Sequence, residues 1–172
     1  MLEALKPAPA VPGQQPPTGK GKLIALVGVA AAAIMTPLVA GWEGKSNDPY
    51  ADLVGRMTVC FGETRVEMRR YSDAECEAML AEGLVDFAAP VLKRNPELRD
   101  HPYQLAAATS LSYNIGTAAY NRSTVARRFS AGNWRGACDA FLLWVKAGGK
   151  TVKGLVRRRE DERRVCLTEL PA

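Results

Sequence analysis

The chain has 172 residues, 47% of them hydrophobic and 24% charged, with a formal net charge of +5 at pH 7. These proportions exclude a wholly disordered chain, a collagen-like repeat and a continuous coiled coil, and the length suits one domain of at most two lobes. Charge is unevenly spread, with eight basic against twelve acidic residues over 42–121 and twelve against five over 122–172.

Residues 1–22 are rich in proline and lack aromatic side chains, so they predict a flexible arm. Residues 23–41 follow without a single charge, bounded by Lys20 and Lys22 before and Glu43 after, and are just long enough to span a bilayer. Six alanines, Gly28, Gly41, Thr36 and Pro37 make this stretch weakly hydrophobic for a span. The two lysines should stay cytoplasmic, which sends Trp42 and everything after it across the membrane. Cleavage after Ala40 or Gly41 would place Leu38 or Val39 at the −3 position, where a small residue is needed. An uncleaved anchor able to leave the bilayer is the favoured reading, ahead of a buried helix of a soluble domain.

From Trp42 onward, charged and apolar residues are mixed as in a soluble domain. The stretch RMTVCFGETRVEM (56–68) alternates, is broken by Gly62, and predicts a short hairpin or small sheet. Ser72-Asp73-Ala74-Glu75 forms a capping box for a helix running to about Leu92, with Cys76, Met79, Leu80, Leu84 and Phe87 on its apolar face and a bend at Pro90. His101-Pro102 opens a helix that stops at Asn114-Ile115-Gly116. Further helices are expected over 117–130, over 134–147 up to Gly148-Gly149, and from Gly154 through RRREDERR (157–164). The last run reads as a solvated helix face with internal ion pairs. The fold class is α+β and mostly helical: a small β lobe, then a helical lobe, with a cleft that suits a long polymer.

Four cysteines, at 60, 76, 138 and 166, all lie in the exported part, where disulfides form. Of three possible pairings, Cys60 with Cys76 and Cys138 with Cys166 keep each pair within one lobe. No pair has zinc-knuckle spacing and His101 is the sole histidine, so neither metal nor cofactor is expected; His101 itself reads as a surface or capping residue. Without a zinc-finger, RNP-like or phosphate-loop motif, nucleic acid is not an expected partner, and the basic end suits an anionic wall or membrane surface.

Glycoside cleavage needs one protonated carboxylic acid beside the leaving oxygen and one carboxylate that directs water or bonds the sugar. Glu43, beside Trp42 at the end of the apolar stretch, suits the acid, and Asp52, after the polar run GKSNDPYA, suits the carboxylate. Thr58 offers a hydroxyl to hold a water. Together, Glu43, eight residues, Asp52, five residues, Thr58 resembles the catalytic triad of the phage-type lysozymes, glycoside hydrolase family 24. The resemblance extends through TVCFGET (58–64), SYNIG (112–116), AGGK (147–150) and GLVRRREDERRVCL (154–167).

The resemblance implies a lysozyme-like two-lobed fold and hydrolysis of the β-1,4 bond between N-acetylmuramic acid and N-acetylglucosamine in peptidoglycan, without a cofactor. Glu43 is then the general acid, Asp52 handles the attacking water and Thr58 helps to hold it, with inversion at the anomeric carbon. Glu63 departs from the family pattern by adding a third carboxylate, most simply at a solvated hairpin tip. Asp48, followed by Pro49, reads as a turn former. Asn114 reads equally as a sugar contact or a helix cap. The anchor next to Glu43 resembles that of signal-anchor-release endolysins, which implies a monomer held in the host inner membrane, facing the periplasm and inactive until released. A lytic transglycosylase acting on the same bond, or a non-catalytic membrane-tethered wall-binding protein, stands as the alternative.

Overall fold

The computed structural model describes residues 19–52 and 55–171. Helix α1 spans Gly19–Trp42, and strands β1 (Ser46–Ala51) and β2 (Met57–Cys60) follow as an antiparallel pair. Helix α2 (Asp73–Arg94) leads through a 3-10 turn (Pro96–Asp100) to α3 (Pro102–Ile115), α4 (Thr117–Arg122), α5 (Thr124–Ser130) and α6 (Trp134–Asp139). A second 3-10 turn (Ala140–Leu143), a short hairpin of β3 (Lys146–Ala147) and β4 (Lys150–Thr151), and helix α7 (Lys153–Cys166) complete the chain.

Most of the proline-rich arm lies outside the described residues, but its last four residues already belong to α1, which starts earlier than expected. The helix is long and apolar enough to cross a membrane, yet here it packs on α2 and α3. Leu23, Val27, Ala31, Met35 and Val39 recur every fourth residue and are buried, while Val29 on the other side is 69% exposed. Two glycines make this docking possible. A Cβ at Gly19 would lie 2.4 Å from the Ala78 carbonyl oxygen, so α1 and α2 approach there backbone to backbone. Gly28 (φ 82°, ψ 163°) breaks the helix with a backbone conformation that side-chain-bearing residues avoid, letting both halves lie on the core.

The β lobe differs from its expected form. The polar run before Asp52 is a strand, not a turn: Tyr50 faces Thr58 and Ala51 faces Met57, with an irregularity between Ser46 and Tyr50 where Asp48-Pro49 sits. Asn47 exchanges hydrogen bonds with Tyr71 in both directions, and Asp48 pairs with Arg70 at 2.7 Å, so tertiary contacts hold a segment whose local preference is to turn. Of the expected hairpin or small sheet over 56–68, Met57–Cys60 is strand and Glu63 folds back around Gly62 to bridge Val59 through two hydrogen bonds, after which the run is irregular.

Helix α2 carries the expected capping box: Ser72 Oγ accepts from Glu75 N while Glu75 Oε2 accepts from Ser72 N. The expected helix over 117–130 is two helices, because Ser123 caps α5 by accepting from Ala126 N and so interrupts the chain's own helical bonding. The expected helix over 134–147 ends at Asp139. Gly148 and Gly149, both at positive φ, turn the β3–β4 hairpin instead of merely stopping a helix. Disulfides join Cys60 to Cys76 and Cys138 to Cys166, tying β2 to α2 and α6 to α7.

Candidate active site

Glu43 follows the last residue of α1, and its N–H donates to the Val39 carbonyl, so it continues the helix that precedes it. Its side chain, 26% exposed, is held by Arg158 of α7, whose Nη1 donates to Glu43 Oε1 at 2.7 Å. Asp52 and Thr58 each bond the main chain of Arg56, which lies between them in sequence. Arg56 N donates to Asp52 Oδ1, and Thr58 Oγ1 donates to the Arg56 carbonyl, each at 2.9 Å. Thr58 is buried on β2, and with its proton committed to Arg56 its hydroxyl keeps lone pairs able to accept from a water. Asn114 is exposed in the last turn of α3; the α3 cap is made instead by the Gly116 N–H on Ser112 O.

Tyr113 lies within electrostatic reach of Glu43, Glu63, Arg158 and Arg65. Burial raises its hydroxyl pKa first, and the carboxylates of Glu43 and Glu63 raise it further, against Arg158 and Arg65. Its ring lies 4.9 Å from that of Phe87. A cavity of about 150 Å³ opens there, lined by Gly62, Glu63, Arg65, Met79, Phe87 and Tyr113.

Glu63 is not a solvated tip. Its side chain is only 19% exposed, and Oε1 accepts from Thr64 N and Arg65 N at 2.8 Å, with the Arg65 guanidinium alongside. Burial alone would raise its pKa, but the bonds from Arg65 and Thr64 outweigh burial and hold the carboxyl below its ordinary value. The loop's backbone N–H groups needed an acceptor, and a side chain folded inward supplies it. His101 occupies the turn before α3 as expected, but its ring packs edge-on against Trp134 at 4.6 Å and makes no capping bond.

The largest departure lies in α7. Within RRREDERR, Arg158, Arg159 and Glu162 are buried. Glu162 Oε1 accepts from Ser110 Oγ (2.6 Å), Arg159 Nη2 (2.9 Å) and Arg158 Nε (3.2 Å), and Arg159 Nε lies 2.8 Å from Glu162 Oε2. Burial pushes the Glu162 carboxyl up and the Arg159 guanidinium down to about 10, each countered by the other's charge. These charges can leave water because they balance one another, with Glu43 supplying the second anion. The i,i+4 and i,i+3 spacing of Glu162 from Arg158 and Arg159 was visible in the sequence, but it is equally the pattern of a solvated helix.

A small antiparallel β lobe set between an N-terminal apolar helix and a helical lobe is the architecture of a lysozyme-type glycoside hydrolase. The family model "Phage lysozyme" matches residues 40–162, and the chain belongs to that family, whose members degrade peptidoglycan. The SAR-endolysin of Enterobacteria phage P21 is 39% identical over 163 residues, covering 88% of this chain and 97% of that protein. The SAR-endolysin of Bacteriophage PS119 is 37% identical over 88% of this chain and 95% of its own. Among solved structures, the endolysin from Escherichia coli O157:H7 phage FAHEc1 superposes with a TM-score of 0.70 at 26% identity, covering 80% of this chain and 92% of that one.

Proposed function

We propose that this protein is an endolysin muramidase that hydrolyses the β-1,4 bond between N-acetylmuramic acid and N-acetylglucosamine, and that its first helix doubles as a releasable membrane anchor. Glu43 protonates the leaving glycosidic oxygen, Asp52 directs or deprotonates the attacking water, and Thr58 holds that water. Inversion requires the two carboxyl groups to stand roughly 6.5 to 9.5 Å apart, with room for water between them. The observation that supports this reading is that both side chains bond the same residue, Asp52 accepting from the Arg56 N–H and the Thr58 hydroxyl donating to the Arg56 carbonyl.

The anchor reading is supported by what α1 does to Glu43. A helix lying in the bilayer cannot lie on α2 and α3, and Glu43 then cannot reach Arg158 on α7. Release from the host inner membrane into the periplasm delivers both the core helix and the acid. The protein works as a monomer on peptidoglycan, with no cofactor and no nucleic acid.

Digestion of purified Gram-negative peptidoglycan by the full chain and by Glu43→Gln, with the sugar ends identified by mass spectrometry, tests the chemistry. Reducing muramic acid ends from the wild type alone are expected. Anhydro ends would mean a lytic transglycosylase, and intact wall with both proteins would mean a wall-binding protein. For the anchor, Ala30 and Ala33 are exposed on docked α1, whereas Ala31 and Ala32 are buried. Ala30→Leu with Ala33→Leu therefore strengthens membrane residence without overpacking the folded domain, and lysis should be delayed. Unchanged timing would rule out control by weak anchoring.

A further inference from the structure

We infer that Glu162 is a positioning residue for the reaction, holding the Arg158 guanidinium in the orientation from which it grips Glu43; the inference rests on the reading of Glu43 as the general acid. Apolar contacts dock α1 but do not fix the rotation of a side chain just beyond its end. That task falls to Arg158, which is itself on a long flexible stem. Its guanidinium is held at two points, Nη1 on Glu43 at 2.7 Å and Nε on Glu162 at 3.2 Å. With both ends of this planar group engaged, its orientation is set. Glu162, fully buried, is in turn fixed from two elements, by Ser110 of α3 and by Arg159 of α7. The chain of contacts runs from α3 through Glu162 and Arg158 to Glu43.

The network is poorly suited to being simply an adhesive for α7. Burying paired ions costs desolvation that well-packed apolar groups avoid, so such a cluster is a weak source of stability. Helix α7 is fastened by other means: the Cys138–Cys166 disulfide, and Gln104 Nε2 donating to the carbonyls of Cys166 and Thr168 at 2.6 and 2.8 Å. What the ionic cluster supplies is direction. It is also incomplete without Glu43, since two guanidinium groups would then face one carboxylate. Orientation of the acid and completion of the buried charge balance are therefore one event, reached when α1 docks.

The test is a double-mutant cycle in the full chain, with kcat and KM measured on soluble glycan strands of alternating N-acetylmuramic acid and N-acetylglucosamine. Glu162→Gln keeps the size of the side chain but puts an amide among guanidinium donors. It should lower kcat by roughly 10- to 100-fold while KM moves less than about twofold. In an Arg158→Met background the same change should cost no more than about twofold further, because its effect passes through Arg158. Glu162→Asp, which retains the charge, should recover part of the loss. An unchanged kcat in Glu162→Gln, or losses that multiply independently in the double variant, would overturn the inference. If Glu162→Gln does not fold, Ser110→Ala carries the same test, since it removes one hydrogen bond to Glu162 without altering the charges of the cluster: a kcat lowered about twofold or more at constant KM supports the inference and an unchanged kcat overturns it. A wild-type chain inactive on these strands would bring down the reading of Glu43 itself, a result distinct from an active wild type with an indifferent Glu162.

Discussion

Arg158 and Glu43, 115 positions apart in the chain, meet through a 2.7 Å hydrogen bond between Arg158 Nη1 and Glu43 Oε1. The contact joins the end of α1 to α7, so the candidate acid is oriented by the helix farthest from it in sequence. Replacing Glu43 by Gln keeps a carbonyl for Arg158 while removing the transferable proton. Activity on peptidoglycan should fall by roughly 10² to 10⁴, with the far-ultraviolet circular dichroism spectrum unchanged. Retained activity would exclude Glu43 as the acid.

Gly28 should be sensitive through its backbone conformation, where Gly19 is sensitive through lack of space. Its φ of 82° with ψ of 163° is reserved for glycine, although nothing lies within 4 Å of where a Cβ would stand. Gly28→Ala therefore acts through the backbone alone and should destabilise the folded domain by about 1–3 kcal/mol in urea unfolding. Gly41→Ala, also without a neighbour within 4 Å, should be neutral or gain at most about 1 kcal/mol. Equal effects at the two sites would show that the break at Gly28 is not a requirement of the fold.

The disulfides close loops of 16 and 28 residues. Converting either pair to serines should cost about 2–4 kcal/mol, with the longer loop costing slightly more, read from denaturation midpoints at constant slope. Loss below about 1 kcal/mol would indicate an unfolded state already compact without the crosslink.

Acid stability should depend on Glu75. The Arg69 guanidinium, then the N–H and hydroxyl of Ser72, hold its carboxyl at about 2, down from an ordinary 4.5. Because the folded value is the lower one, the stability it contributes is present above about pH 4.5 and is lost as pH falls toward about 2. Glu75→Gln should flatten the decline of unfolding free energy across that window. An unaltered slope would show that Glu75 is no better solvated by its partners in the folded chain than in the unfolded one.

Features made by neighbouring residues were legible in advance. Ser72 and Glu75 cap the same helix turn that they signal in the sequence, and His101-Pro102 and Gly116 bound α3 as read. Both cysteine pairings also follow from proximity within a lobe. The misreadings occur where a distant partner overrides a local preference. Asp48-Pro49 reads as a turn, yet Arg70 and the Asn47–Tyr71 bonds hold it in a strand. Gly148-Gly149 is a different case with no distant partner: glycine at positive φ suits a helix end and a hairpin turn alike, and here the helix has already ended and the pair turns β3 into β4.

The sequence by itself determined the helical class, the two lobes, the apolar first segment and the placement of Glu43, Asp52 and Thr58 in a lysozyme-like pattern. Periodicity, capping and motif spacing are local quantities that the chain carries before it folds. Only the tertiary structure decided that Arg158, Arg159 and Glu162 are buried, since a charged residue can leave water only where an opposite charge waits for it. For Arg158 one such charge is Glu43, delivered by an apolar helix that could equally have stayed in a membrane.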